Sequence, residues 1–227
     1  MRLDKFLAHL GYGTRKDTKT LVRSGAVLVN GESIKDGGYI IDENNDEVVV
    51  YDTKLDYEEY LYIIMNKPSG VVSATFDSNC ETVLDLLPDY ASRGLFPVGR
   101  LDKDSTGLLL LTNDGQLAHQ LLSPKNHVKK VYEVSLDQDV SPALIPAFSK
   151  GVVLEDDYHC KSAELAIIES RKALVTVTEG KFHQVKRMFQ AFNINVLTLR
   201  RIKFGSLSLP SSLKEGEYQK ISKESIY

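Results

Sequence analysis

Only two cysteines, Cys80 and Cys160, occur among 227 residues. That excludes a disulfide framework and a four-cysteine zinc site. Long apolar runs are also missing. The longest, Leu61 to Met65 and Leu108 to Leu111, fall far short of the roughly 18 residues a membrane-spanning helix needs. The start, Met1-Arg2-Leu3-Asp4-Lys5, has no apolar stretch behind it and does not read as a secretory signal, so a cytoplasmic protein is expected. A large net charge is absent as well: the formal total is −3. That total hides a strong segregation. Residues 1–25 carry +4, residues 30–60 carry −8, and residues 180–214 carry seven bases and no acid. Two basic segments at opposite ends suggest a polyanion that touches both.

The composition, 42% apolar and 26% charged, is that of an ordinary globular protein large enough to fold without a metal. Residues 3–10 read as a short helix with Leu3, Phe6, Leu7 and Leu10 on one face. Thr14 and Asp17 have the spacing of a capping box, and the helix they open runs to about Ser24, with Arg15, Lys16, Lys19 and Arg23 sharing a face. Asn30-Gly31 predicts a type I′ turn between two short strands. Val48 to Val50 is a further strand, and Thr53 to Tyr60 reads as a charged linker. Beyond it, strands are predicted at 62–67, 108–112, 131–136, 174–177 and 196–199. Helices are predicted at 83–87, 116–122 and 183–192. Without a regular βαβ rhythm this is an α+β pattern, with a mostly antiparallel mixed sheet flanked by helices. The expected domains are 1–58, linker included, and 59–227.

Three segments could carry chemistry. In the first, Gly99-Arg100-Leu101-Asp102-Lys103-Asp104-Ser105-Thr106-Gly107, a turn with two carboxylates runs into four leucines. It could be a plain solvated turn. A calcium loop would require a bidentate Glu where Asn113 stands. As a catalytic element, its carboxylates lie beside Arg100 and Lys103, which suits an ionised nucleophile better than a general acid. The second segment is Gly180 to Phe189. As a helix it puts Phe182, Val185 and Phe189 on an apolar stripe, with Lys181, His183, Lys186 and Arg187 off it. It reads either as an amphipathic helix with a solvated face or as bases and rings arranged for nucleic acid. The third is Lys129-Lys130-Val131-Tyr132, where Tyr132 is either core or a stacking plate. No histidine and cysteine cluster has metal spacing, so no metal is expected.

Taken together, these segments resemble the RsuA-type pseudouridine synthases over essentially the whole chain. Residues 2–31 resemble the small RNA-binding domain first seen in a small-subunit ribosomal protein. Asn66-Lys67-Pro68-Ser69-Gly70, Gly99 to Asp102 with its leucine strand, Lys130-x-Tyr132, and Gly180 to Phe189 resemble the synthase motifs in order. The resemblance implies isomerisation of a uridine in small-subunit ribosomal RNA, through base flipping and an aspartate nucleophile. Large-subunit RNA, or a non-catalytic ribosome-associated RNA-binding role, are the alternatives. It places the catalytic aspartate on Asp102, the active-site tyrosine on Tyr132 and the aspartate's basic partner on Lys186. Arg100, Lys67, Lys130, His183, Gln184 and Arg187 are expected against RNA, as are Arg15, Lys16 and Lys19 in the small domain. Nothing is oxidised and no group is exchanged, so no cofactor is implied. The expected partner is ribosomal RNA, naked or in an assembling small subunit, met by a monomer without a membrane.

Overall fold

The computed structural model describes residues 1–227. The chain forms two compact units, Met1–Leu61 with Leu87–Leu95, and Tyr62–Leu86 with Phe96–Tyr227.

The first unit opens with α1 (Leu3–His9) and α2 (Arg15–Arg23). The capping box forms: the Thr14 amide donates to the Asp17 carboxylate at 2.9 Å, and the Asp17 amide donates to the Thr14 hydroxyl at 3.3 Å. Thr18 and Val22 are buried, which leaves Arg15, Lys16, Lys19 and Arg23 exposed. Strands β1 (Val27–Val29) and β2 (Glu32–Ser33) join through Asn30 and Gly31, whose φ values of 51° and 84° fit the type I′ turn. Strands β3 (Val48–Val50) and β4 (Thr53–Leu55) complete an antiparallel sheet ordered β2-β1-β3-β4. Leu3, Phe6, Leu7, Val22 and the valines of β1 and β3 form its core.

Residues 53–55 are therefore strand, not linker. Tyr51 and Asp52 turn the chain at positive φ, and Leu55 and Tyr57 pack on the core, with the Tyr57 ring stacked 5.5 Å from Phe6. A glycine-free turn and a three-residue strand, charged on its outer side, leave little trace in sequence.

The second unit holds β5 (Tyr62–Lys67), β6 (Phe96–Pro97), β7 (Thr106–Thr112), α3 (Gly115–Leu122), β8 (Lys130–Leu136), α4 (Leu144–Lys150), β9 (Glu164–Glu169), β10 (Lys172–Val177), α5 (Gln184–Gln190), β11 (Val196–Phe204), β12 (Leu207–Ser208) and β13 (Tyr218–Lys220). They build a nine-stranded sheet with the path β13-β5-β7-β11-β8-β10-β9, to which β6 and β12 attach. Only β7 and β11 run parallel, so the mostly antiparallel mixed sheet is observed. β5 and all but the first residue of β7 are buried, as continuous apolar strands require.

Two expectations change. Residues 83–87 form turns rather than a helix, because Leu87 before Pro88 takes φ −121° and ψ 56°. The helix predicted at 183–192 is α5, shorter at Gln184–Gln190. His183 sits at positive φ just ahead of it, so Phe182 is off the apolar stripe and 73% exposed. Val185, Met188 and Phe189 make the buried face instead. Strands β6, β9, β12 and β13 and helix α4 have no counterpart among the predicted elements.

Candidate active site

The loop between β6 and β7 is set from below. Lys67, at the end of β5, is completely buried, and its ammonium donates to the carbonyls of Pro68 (2.9 Å), Lys103 (3.3 Å) and Ser105 (2.8 Å). The Gly70 amide donates to the Lys103 carbonyl at 2.8 Å. The Ser73 hydroxyl accepts from the Leu101 amide and donates to the Leu101 carbonyl. The backbone around Asp102 is thus bonded on both sides, which is how a carboxylate on a loop can be aimed. Burial pushes the Lys67 ammonium down to about 8.

Asp102 lines a cleft of about 910 Å3, within the size range of small-molecule sites. Its carboxylate is 3.5 Å from His183 Nε2 and 3.4 Å from Lys186 Nζ. Lys186 also donates to both oxygens of Asp104, at 2.6 and 2.8 Å, and these hydrogen bonds hold the Asp104 carboxyl below its ordinary range. The expected partnership of Asp102 and Lys186 is therefore a shared one: Asp104 takes the short bonds and Asp102 the longer ionic contact. The two carboxylates thereby separate in role. Asp104 is neutralised at the surface, while Asp102 faces the cleft with a cation behind it. Phe182 stacks on the His183 ring at 3.8 Å and 18°, adding an exposed aromatic face beside the carboxylate.

Tyr132, on β8, is 8% exposed and lines the same cleft, as do Arg100, Lys130 and His183. Lys130 donates to the Val128 carbonyl at 3.1 Å and lies 5.7 Å above the Phe204 ring; burial, then Arg201, pushes it down to about 8. Arg201, on the cleft floor, was not singled out from sequence. Its one signal there is an arginine in phase with the inward-facing Leu199 of β11.

Three expected RNA contacts are corrected. Lys67 is sealed beneath the loop it holds and presents no surface to RNA. Gln184 is buried, donating to Glu179 at 2.7 Å and accepting from the Lys181 amide at 3.0 Å, so it braces its own turn. Arg187 is turned away from the cleft to Asp156 (2.6 Å) and Glu155 (3.3 Å). Arg15, Lys16 and Lys19 are exposed on α2 in the first unit. No group of three or more His, Cys, Asp or Glu side chains is placed to hold a metal ion, and no helix is long and apolar enough to cross a membrane.

Residues 61–191 match the RNA pseudouridylate synthase family, and residues 1–48 match the S4 domain. Among curated proteins, an uncharacterised RNA pseudouridine synthase of Bacillus subtilis, YtzG, is 47% identical, covering 100% of this chain and 97% of that one. The ribosomal small subunit pseudouridine synthase A of Haemophilus influenzae is 40% identical over 100% and 98%. A solved crystal structure of a pseudouridylate synthase superposes with a TM-score of 0.71 at 38% identity, over 100% of this chain and 98% of that one. The likeness runs from end to end at these identities, and the synthase match contains the aspartate loop, the tyrosine strand and the 180–183 segment that line the cleft, with the basic helix that follows. The chain therefore belongs to the RNA pseudouridine synthase family, as an RsuA-type member with an S4 domain ahead of its synthase domain.

Proposed function

We propose that the chain isomerises one uridine of small-subunit ribosomal RNA to pseudouridine, acting on a nucleotide turned out of its stack, with Asp102 as nucleophile. The carrying observation is the position of Asp102. It stands on a backbone-locked loop at the wall of the cleft, between His183 and Lys186, with Tyr132 lining the same space. The relatives named for the small ribosomal subunit support the choice of RNA.

The reaction breaks the bond from uracil N1 to the sugar C1′ and forms one from C5 to C1′. The C5 proton leaves and N1 gains one, so atoms balance without an oxidant or a donor of groups. An anionic Asp102 adds to the sugar or the ring, and the Lys186 ammonium behind it stabilises that anion. Extruding the base costs a few kcal/mol. Stacking on a ring such as Tyr132 returns roughly 1–3 kcal/mol. Arg100, Lys103, Lys161 and Lys181 around the cleft attract the RNA backbone.

The test is chemical mapping of pseudouridine after incubation with ribosomal RNA, naked and partly assembled. Asp102→Asn abolishes product while RNA affinity stays within about threefold, since one carboxylate is removed from a basic cleft. Asp104→Asn keeps product formation within about tenfold, because that carboxylate is already neutralised by Lys186. Product from the Asp102 variant would refute the nucleophile. Product only in large-subunit RNA would move the target, and no product in any RNA would leave an RNA-binding protein.

A further inference from the structure

The cleft floor carries two cations, neither of them in an ion pair, and one nearby carboxylate, Glu179, against their two charges. In the pairing of β8 with β11, Lys130 lies opposite Phe204 and Arg201 opposite Tyr132. Both cations reach over the Phe204 ring, the Lys130 ammonium at 5.7 Å and the Arg201 guanidinium carbon at 5.1 Å from its centroid. Arg201 is 1% exposed. Its Nε donates to the Leu108 carbonyl at 2.7 Å, but its buried Nη2 has no protein acceptor. Lys130 spends one donor on the Val128 carbonyl. The acid that faces Lys130 is Glu179, and its two oxygens already accept from the Tyr158 hydroxyl, the Lys161 amide and the Gln184 side chain.

Two desolvated like charges with spare donors are costly unless an anion joins them. A uracil carbonyl could take one hydrogen bond but would leave the excess positive charge, two cations against the one Glu179 carboxylate, in place. A phosphodiester oxygen pair neutralises charge and accepts from both groups, in the geometry for which guanidinium is suited. We propose that Lys130 and Arg201 form a phosphate subsite on the cleft floor, gripping a phosphodiester next to the reacting uridine. That the phosphate belongs to substrate RNA rests on the function proposed above; that the pair binds phosphate does not. The lowered Lys130 pKa, about 8, is consistent with a cation awaiting its counter-charge. Tyr132, directly across from Arg201, would then meet the base of a nucleotide whose phosphate is already held. The subsite positions the substrate and supplies affinity rather than chemistry.

The test uses the full chain labelled with nitrogen-15. Uridine, 5′-UMP and 3′-UMP are titrated while the Arg201 Nε–H resonance is followed, a proton protected by its bond to Leu108. At least one nucleotide is expected to move that resonance and to bind roughly tenfold or more tightly than uridine. Inorganic phosphate displaces it. In Lys130→Gln the advantage over uridine disappears, and in Arg201→Lys it is reduced. Equal affinities for uridine and both nucleotides overturn the proposal. So does a silent Arg201 resonance at saturating nucleotide, or an advantage that survives in Lys130→Gln, a substitution at a half-buried side chain that the fold tolerates better than a change at Arg201. Pseudouridine mapping separates this from the function. A phosphate-dependent advantage without pseudouridine in any ribosomal RNA keeps the subsite and refutes the enzyme reading. Pseudouridine without the advantage refutes the subsite alone.

Discussion

Replacing Lys67 by Met tests how the active loop is held. The ammonium is wholly buried and is the common donor for three carbonyls, two of them at 2.8 and 2.9 Å. Each carbonyl left without a partner costs about 1–3 kcal/mol. Against this, an ammonium held at about 8 instead of 10.5 already costs the folded state about 3 kcal/mol at neutral pH, and methionine removes that cost. The opposing effects partly cancel, so the net loss of stability at neutral pH is about 0–6 kcal/mol. The pH dependence is more decisive. The folded pKa is depressed, so the contribution of this group is fully present above 10.5 and is lost as pH falls through 8. Raising the pH from about 7.5 to about 9.5 should stabilise the wild type by about 2 kcal/mol more than Lys67→Met. Lys130 titrates alike in both proteins and drops out of the difference. Urea midpoints at the two pH values measure it. Pseudouridine formation should fall by about a hundredfold or more, since the freed loop displaces Asp102 by the ångström that such losses require. A variant with the wild-type pH slope and wild-type activity would refute both the buried charge and the loop-holding role.

Gly107→Ala should cost about 2–5 kcal/mol in urea denaturation. Its φ is +101° and a Cβ there would stand 2.3 Å from the Arg201 carbonyl oxygen, a backbone atom that cannot swing aside. A loss under 1 kcal/mol would show that β7 and β11 can part without strain. Neutralising Arg15, Lys16 and Lys19 together by Gln should weaken RNA binding and flatten the dependence of log affinity on log salt by about 2, from roughly 0.7–0.9 per phosphate contact. An unchanged slope measured by filter binding would make the exposed face of α2 mere surface.

Much of the scaffold was legible because it depends on local chemistry. Thr14 and Asp17 can cap only a helix start, Asn30-Gly31 suits only a tight primed turn, and four leucines after a polar loop have nowhere to go but a buried strand. The resemblance singles out Asp102, Tyr132 and Lys186; Asp102 and Tyr132 line the cleft, and the Lys186 ammonium lies 3.4 Å from Asp102. What stayed hidden were matters of three-dimensional partnership. The strand at 53–55 exists only because β3 is beside it. Lys67 and Arg187 read as free bases, yet one is enclosed by carbonyls from residues 36 and 38 positions away and the other is claimed by acids on a distant loop.

Arg201 shows the division most clearly. Composition and periodicity determined a two-part α+β protein with basic ends and a carboxylate at the edge of a buried strand. The tertiary structure alone decided that Arg201 and Phe204, three residues apart and so on opposite faces of a regular strand, are both turned inward. A bulge between Arg201 and Lys203 shifts the alternation by one residue. Side-chain direction within a strand is local, but the pairing irregularity that resets it belongs to the neighbouring strand.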